Sequence, residues 1–184
     1  MKAPMKRLED RRGRGEAAFT LVELLVVVSI IGLLAGLAFP AIQGAMNSAK
    51  KGKAKSEMQS VITALKAYQN EYGRMPDPQQ LGGGSDGWFG TDASANLFWM
   101  LSGDNYGQQN PRQIVFLELP ATSVNGAFPD PWKKNYAVKI DTDGDNLVEY
   151  YGDKNGVALL ISFGKNGQQD NPTDAKSDDV YSFK

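Results

Sequence analysis

The chain contains no cysteine and no histidine among its 184 residues. The first absence excludes disulfides and thiol chemistry, so stability outside a reducing compartment must come from packing or bound ions. The second removes the usual general base. Catalysis would have to rest on carboxylate pairs such as Asp178 and Asp179, which fall in a Gly/Asn/Pro-rich stretch without an evident pocket, and the chain is not read as an enzyme. An excess of charge of one sign is also missing: 20 Lys and Arg stand against 21 Asp and Glu, a net charge of −1. No nucleic-acid partner is expected from that balance. Repeats and simple tracts are absent apart from one glycine run, Gly82-Gly83-Gly84.

What is present is a nearly unbroken apolar run from Phe19 to Ile42, long enough to cross a bilayer core of roughly 30 Å as a helix. It carries one acid, Glu23. A lone carboxylate at membrane depth costs a few kcal/mol, so something has to compensate it. Residues 1–18 hold six cations (Lys2, Lys6, Arg7, Arg11, Arg12, Arg14) against three acids, a flank that orients the N-terminus toward the cytoplasm. Taking those six cations and three acids away leaves 14 against 18, so the remainder is mildly acidic at −4. A secretory signal would be cut after its apolar run; here residues 43–49 lead into a further helical pattern, and the small pair Ala17-Ala18 lies in front of the run.

The segment Ala18-Phe19-Thr20-Leu21-Val22-Glu23-Leu24-Leu25 resembles the cleavage and methylation motif of type IV pilins and type II secretion pseudopilins. The resemblance implies a leader of residues 1–18 removed by prepilin peptidase, with the cut between Ala18 and Phe19 and N-methylation of Phe19. Ala18 stands where that family usually has Gly. Pro40 matches a family proline that loosens the helix, and it removes one helical hydrogen bond. Packed in a bundle of identical helices, Glu23 pairs with the amino terminus of Phe19 in a neighbour, removing two uncompensated charges at once. The plainer reading is that Glu23 snorkels to the interface of an inert anchor.

Beyond the run, Met58, Val61, Ile62, Leu65, Tyr68 and Tyr72 recur at steps of three and four and predict an amphipathic helical stem over residues 45–72, stopped by Gly73 and Pro76. Lys50, Lys51, Lys53, Lys55 and Lys66, with Glu57 and Glu71, lie on its other face: anionic lipid, an acidic surface of a neighbouring subunit, or plain solvent are the alternatives. Residues 73–184 are expected to form a globular domain. Within it, residues 77–92 read as an exposed loop, residues 93–101 as a short helix, and residues 114–117, 136–140, 148–151 and 157–163 as strands. The predicted fold is α+β, a long N-terminal helix, half transmembrane and half amphipathic, packed on a small antiparallel sheet.

Three further elements resemble the major, G-type pseudopilins of type II secretion. They are the Gly-x-x-Pro stop at Gly73 and Pro76, the stretch Asp130-Pro131-Trp132-Lys133-Lys134-Asn135-Tyr136 with Lys133 in a position usually held by Gly, and the C-terminal loop. In that loop Gly164-x-x-Gly167 is followed by spaced acids and Asp178-Asp179-Val180, and the resemblance implies a calcium ion held by Asp170, Asp174, Asp178 and Asp179; the alternative is a solvated acidic tail. Trp132 reads as a plug folded onto the sheet. A weaker cation candidate is Asp141, Asp143 and Asp145, spaced by two like the first ligands of a calcium loop, but Gly144 stands at the fourth place instead of the sixth and Gly152 where that motif has Glu; a solvated β-turn is the better-matched reading.

The resemblance as a whole implies a subunit of a type II secretion pseudopilus. It would be a homo-oligomeric filament built at the inner membrane with an assembly platform and minor pseudopilins, the N-terminus cytoplasmic and the C-terminal domain periplasmic. A type IV pilus or minor pilin subunit is the alternative. A solitary binding module held in the lipid bilayer would share the anchor but need no cleavage motif.

Overall fold

The computed structural model describes residues 19–121 and 123–183. Helix α1 spans Leu21–Tyr72, and the chain divides between Gly44 and Ala45 into two units. The expected leader and Ala18 lie outside the described residues.

The first unit is the apolar part of α1. Every large apolar side chain from Phe19 to Ile42 is exposed, from 47% at Val26 to 86% at Leu21. Its most apolar 18-residue window has a mean hydropathy of 2.6, enough by length and composition to cross a membrane. Leaving such side chains in water forfeits about 2 kcal/mol each, so this surface needs lipid or other helices against it. Pro40 sits inside α1, which is one helix on either side of it. Nothing lies within 4 Å of a Cβ built on Gly32, Gly36 or Gly44, so these positions are open for a close neighbour.

The second unit begins with the stem. Ala54, Met58, Val61, Ala64, Leu65 and Tyr68 are buried along one stripe, as the spacing predicts. Gly73 closes the helix in the left-handed region (φ 69), its N–H reaching the Gln69 carbonyl at 2.8 Å. After a short 3₁₀ turn at Gln79–Leu81 come β1 (Trp88–Phe89), α2 (Ser94–Leu101), β2 (Ala137–Ile140), β3 (Leu147–Glu149), β4 (Asp153–Asn155), β5 (Ala158–Ser162) and β6 (Val180–Tyr181). The main sheet has the order β1-β2-β5-β6, antiparallel throughout, and β3 with β4 forms a separate hairpin. The register pairs Val138 with Leu160 and Ala137 with Ile161. Val138, Ile140 and Leu160 join the helix stripe in the main core, whereas Ala137, Leu159 and Ile161 pack against Val148 and Tyr150 on the opposite face. Because both faces are covered, β5 is apolar and buried at nearly every position instead of alternating.

Two expectations fail in this unit and a third is shifted. Residues 114–117 are not a strand: their backbone groups are met by the buried Asn110 amide, which donates to the Ile114 carbonyl and accepts from its N–H, and by the Leu101 carbonyl, which accepts from Phe116 and Leu117. Once a side chain and a helix end satisfy those groups, no ladder partner is needed. Nor are residues 77–92 an exposed loop, since Leu81 and Phe89 are fully buried and β1 pairs with β2. Gly87 makes that close approach possible, because a Cβ there would sit 2.4 Å from the Ile140 carbonyl oxygen. The expected strand over 148–151 is shifted: β3 ends at Glu149, and Tyr151 and Gly152 adopt positive φ in the turn.

Candidate functional site

Glu23 is compensated locally. Thr20 and Glu23 form a capping box: the Thr20 N–H and hydroxyl both donate to Glu23 Oε2 at 2.9 Å, and the Glu23 N–H donates to Thr20 Oγ1 at 3.2 Å. Thr-x-x-Glu before an apolar run is the local sequence signature of this cap. Phe19, 85% exposed, stands just outside this cap. The acid therefore has two roles open to it, closing the first turn of its own helix and presenting a charge to another chain.

Around Trp132 the carboxylate of Asp130, 4% exposed, is the organiser. Its Oδ1 accepts from the Trp132 and Lys134 N–H groups at 2.9 Å, and its Oδ2 accepts from the Ser162 hydroxyl on β5. The turn is thereby pinned to the central strand. Trp132 is half-buried against the main core, and the Lys50 ammonium lies 6.0 Å from its ring centroid. Lys133 adopts φ 71, the conformation that glycine tolerates best. Nearby, the Tyr136 hydroxyl donates to Glu57 Oε2 at 2.5 Å, and burial, then the Glu57 carboxylate, pushes that phenol well above its usual range.

The two acidic clusters differ in how their oxygens are used. Asp141, Asp143 and Asp145 can bring one oxygen each within 4.8 Å of the others. Yet buried Asp141 accepts from the N–H groups of Asp143, Gly144 and Asn146. Asp143 accepts from Asp145 N–H, and Asp145 from Leu147 N–H. The spacing by two is thus a relay of Asx turns, each carboxylate capping the backbone two residues on.

In the C-terminal loop Asp170, Asp178 and Asp179 converge with the same 4.8 Å limit. Asp174 does not join them; it is exposed and accepts from Lys176 N–H in its own turn. Asp178 Oδ2 accepts from Lys165 and Asn166 N–H, and Asp179 Oδ2 from Asp170 N–H and the Tyr181 hydroxyl. The other oxygens, Asp178 Oδ1 and Asp179 Oδ1, are shielded from solvent and have no hydrogen-bond partner among the described residues. Burial, opposed by the Asp170 and Tyr181 hydrogen bonds and reinforced by the charges of Asp170 and Asp178, holds the Asp179 carboxyl above the usual carboxylate range. Tyr181, which also donates to the Asp170 carbonyl, is pushed up by burial and by Asp179. Gly164 (φ 56) lets Asp178 approach, since a Cβ there would meet Asp178 Oδ1 at 2.8 Å. Tyr181 was invisible to sequence reasoning as part of this group; its only signal is its place two residues after Asp179.

Residues 13–39 match the prokaryotic N-terminal methylation motif. The chain carries a prepilin-type N-terminus. Relatives of the chain include the type II secretion system core protein G of Pectobacterium carotovorum subsp. carotovorum, 37% identical over 37% of this chain and 44% of that protein. The protein of the same name from Pseudomonas aeruginosa is 36% identical over 36% of this chain and 47% of its own length. The type IV major pilin protein PilA of Myxococcus xanthus is 39% identical over 36% of this chain and 29% of that protein. The matched stretch spans less than half of each of these relatives. No solved structure matches the chain.

Proposed function

We propose that this chain is a structural subunit of a type II secretion pseudopilus, cut between Ala18 and Phe19 by prepilin peptidase, N-methylated at Phe19 and polymerised through the apolar part of α1. The observation that carries the reading is the methylation motif over residues 13–39, leading into a helix whose apolar side chains have no cover of their own. Before assembly the helix holds the subunit in the inner membrane, N-terminus cytoplasmic, with the domain from Ala45 on the periplasmic side. In the filament, neighbouring helices and the assembly platform replace lipid, and Glu23 faces the Phe19 amino terminus of the next subunit. The role is structural, not catalytic. Recurrence of core protein G among the relatives favours the pseudopilus over a type IV pilus.

The C-terminal carboxylates fit a calcium ion. The donor set is hard oxygen throughout, and the two shielded, unpartnered oxygens of Asp178 and Asp179 are what a cation would satisfy, with Asp170 as third carboxylate. Bound there, the ion supplies positive charge that holds like-charged side chains together and orders the loop against β6. Intact mass and N-terminal sequencing of the membrane-fraction protein test the processing: a methylated Phe19 terminus is expected, and an uncut chain contradicts the reading.

A further inference from the structure

The stem carries a cationic face that no described residue pairs. At about 100° per residue, Lys51, Lys55 and Lys66 fall within an arc of about 60° and extend over roughly 22 Å of helix axis. Lys55 and Lys66 are exposed and Lys51 is half-buried. The stem's acids lie elsewhere on the helix and are taken: Glu57 faces Lys53 at 3.6 Å and the Tyr136 hydroxyl, and Glu71 pairs with Arg112. Among the described residues, no carboxylate forms an ion pair with Lys51, Lys55 or Lys66. Like charges at i,i+4, as in Lys51 and Lys55, weaken a helix unless something answers them.

The same chain exposes the opposite charge. Asp143, Asp145 and Glu149, at the β3 end of the hairpin formed by β3 and β4, are exposed and form no ion pair among the described residues. The C-terminal carboxylates are a poorer complement, because Asp178 Oδ1 and Asp179 Oδ1 are shielded from solvent, whereas Asp143, Asp145 and Glu149 are exposed. Lipid headgroups are also a poorer complement: a layer of roughly 5–8 Å per leaflet answers only part of a face roughly 22 Å long.

We infer that the Lys51, Lys55, Lys66 face docks the Asp143, Asp145, Glu149 tip of a second copy of this chain. Two different, oppositely charged patches on one chain make a head-to-tail contact, the kind that extends into an open helical filament instead of closing a dimer. The inference rests on the filament reading above and adds to it a contact outside the apolar helix. It fixes which copies can meet more than how tightly they hold, since exposed ion pairs chiefly steer and select.

Because the chain has no cysteine, a cross-link reads this contact cleanly. Two full-length copies, one with Lys55→Cys and one with Asp145→Cys, are co-expressed in the native membrane, and filaments are sheared, sedimented and mildly oxidised. A disulfide-linked pair of unlike copies is expected. Reversing Lys51, Lys55 and Lys66 to Glu, with the cysteine pair moved to Gln59→Cys and Asn146→Cys, should lower that pair by roughly tenfold. Reversing Asp143, Asp145 and Glu149 to Lys in the same chain should restore it, which also shows that the reversed chains fold. Filaments without the cross-link overturn the inference and leave the filament reading standing; no filaments from the unaltered chain overturn both. An unchanged cross-link in the triple reversal, with binding to phosphatidylglycerol vesicles lost, assigns the face to lipid and also overturns it.

Discussion

The loop that follows β2 and the loop that follows β5 both gather aspartates, yet among the described residues only the second leaves buried carboxylate oxygens without a hydrogen-bond partner. In the first, both oxygens of buried Asp141 and one oxygen each of exposed Asp143 and Asp145 accept from backbone N–H groups two to five residues ahead. In the second, Asp170, Asp178 and Asp179 come from distant points of a long irregular segment, and Asp178 Oδ1 and Asp179 Oδ1 remain shielded and unpartnered. Sequence spacing therefore misleads about cations. Acids spaced by two can be a self-capping turn, whereas acids spread over ten residues can converge. What separates the two is the account of each oxygen, not the number of acids.

That contrast is sharpest under calcium. For the chain from Ala45 onward, calcium at about a hundred times its dissociation constant should add about 2.7 kcal/mol to unfolding stability. That is a rise of several degrees in melting temperature, and Asp178→Asn with Asp179→Asn should abolish it. Calorimetry that finds the rise intact in the double variant would break the comparison. Next in size, Asp141→Ala strips three N–H groups of their acceptor and should cost about 2 kcal/mol in denaturant unfolding, while leaving the calcium increment unchanged. Loss of that increment would mean the first loop takes part in cation binding. Asp145→Ala, at an exposed position with one backbone bond, should cost about 0.5–1 kcal/mol. Smallest of all, Asp174→Asn should move neither the stability nor the calcium response, because its carboxylate stands outside the converging group.

Legibility in the sequence followed the range of the interaction. The stripe through Met58, Val61, Leu65 and Tyr68 and the stop at Gly73 are local patterns, and both appear where the periodicity puts them. The apolar residues of β2 and β5 likewise announced the two central strands. By contrast, β1 and β6 are two residues each and exist only as edges of that sheet, so no periodicity could mark them. Residues 114–117 look like a strand by composition, but the decision lies with the Asn110 amide, a buried polar group whose partners no local pattern reveals. At the candidate cation site the acids were legible, while the exclusion of Asp174 and the inclusion of Tyr181 depend on how the loop folds back on itself. Glu23 is the reverse case: its expected partner was a distant one, and its nearest partner, Thr20, stands three residues away.

Those two roles of Glu23 can be separated, because a glutamine serves as well as a glutamate in a capping box but carries no charge. The most direct measurement is therefore the yield of sheared, sedimentable filaments from the full chain with Glu23→Gln, scored beside the fraction of subunits that end at Phe19. If the run is an assembly element, the variant is cut after Ala18 but its filament yield falls at least tenfold for want of a charge opposite the neighbouring amino terminus. Filaments at the unaltered level would leave Glu23 as a helix cap and contradict the account.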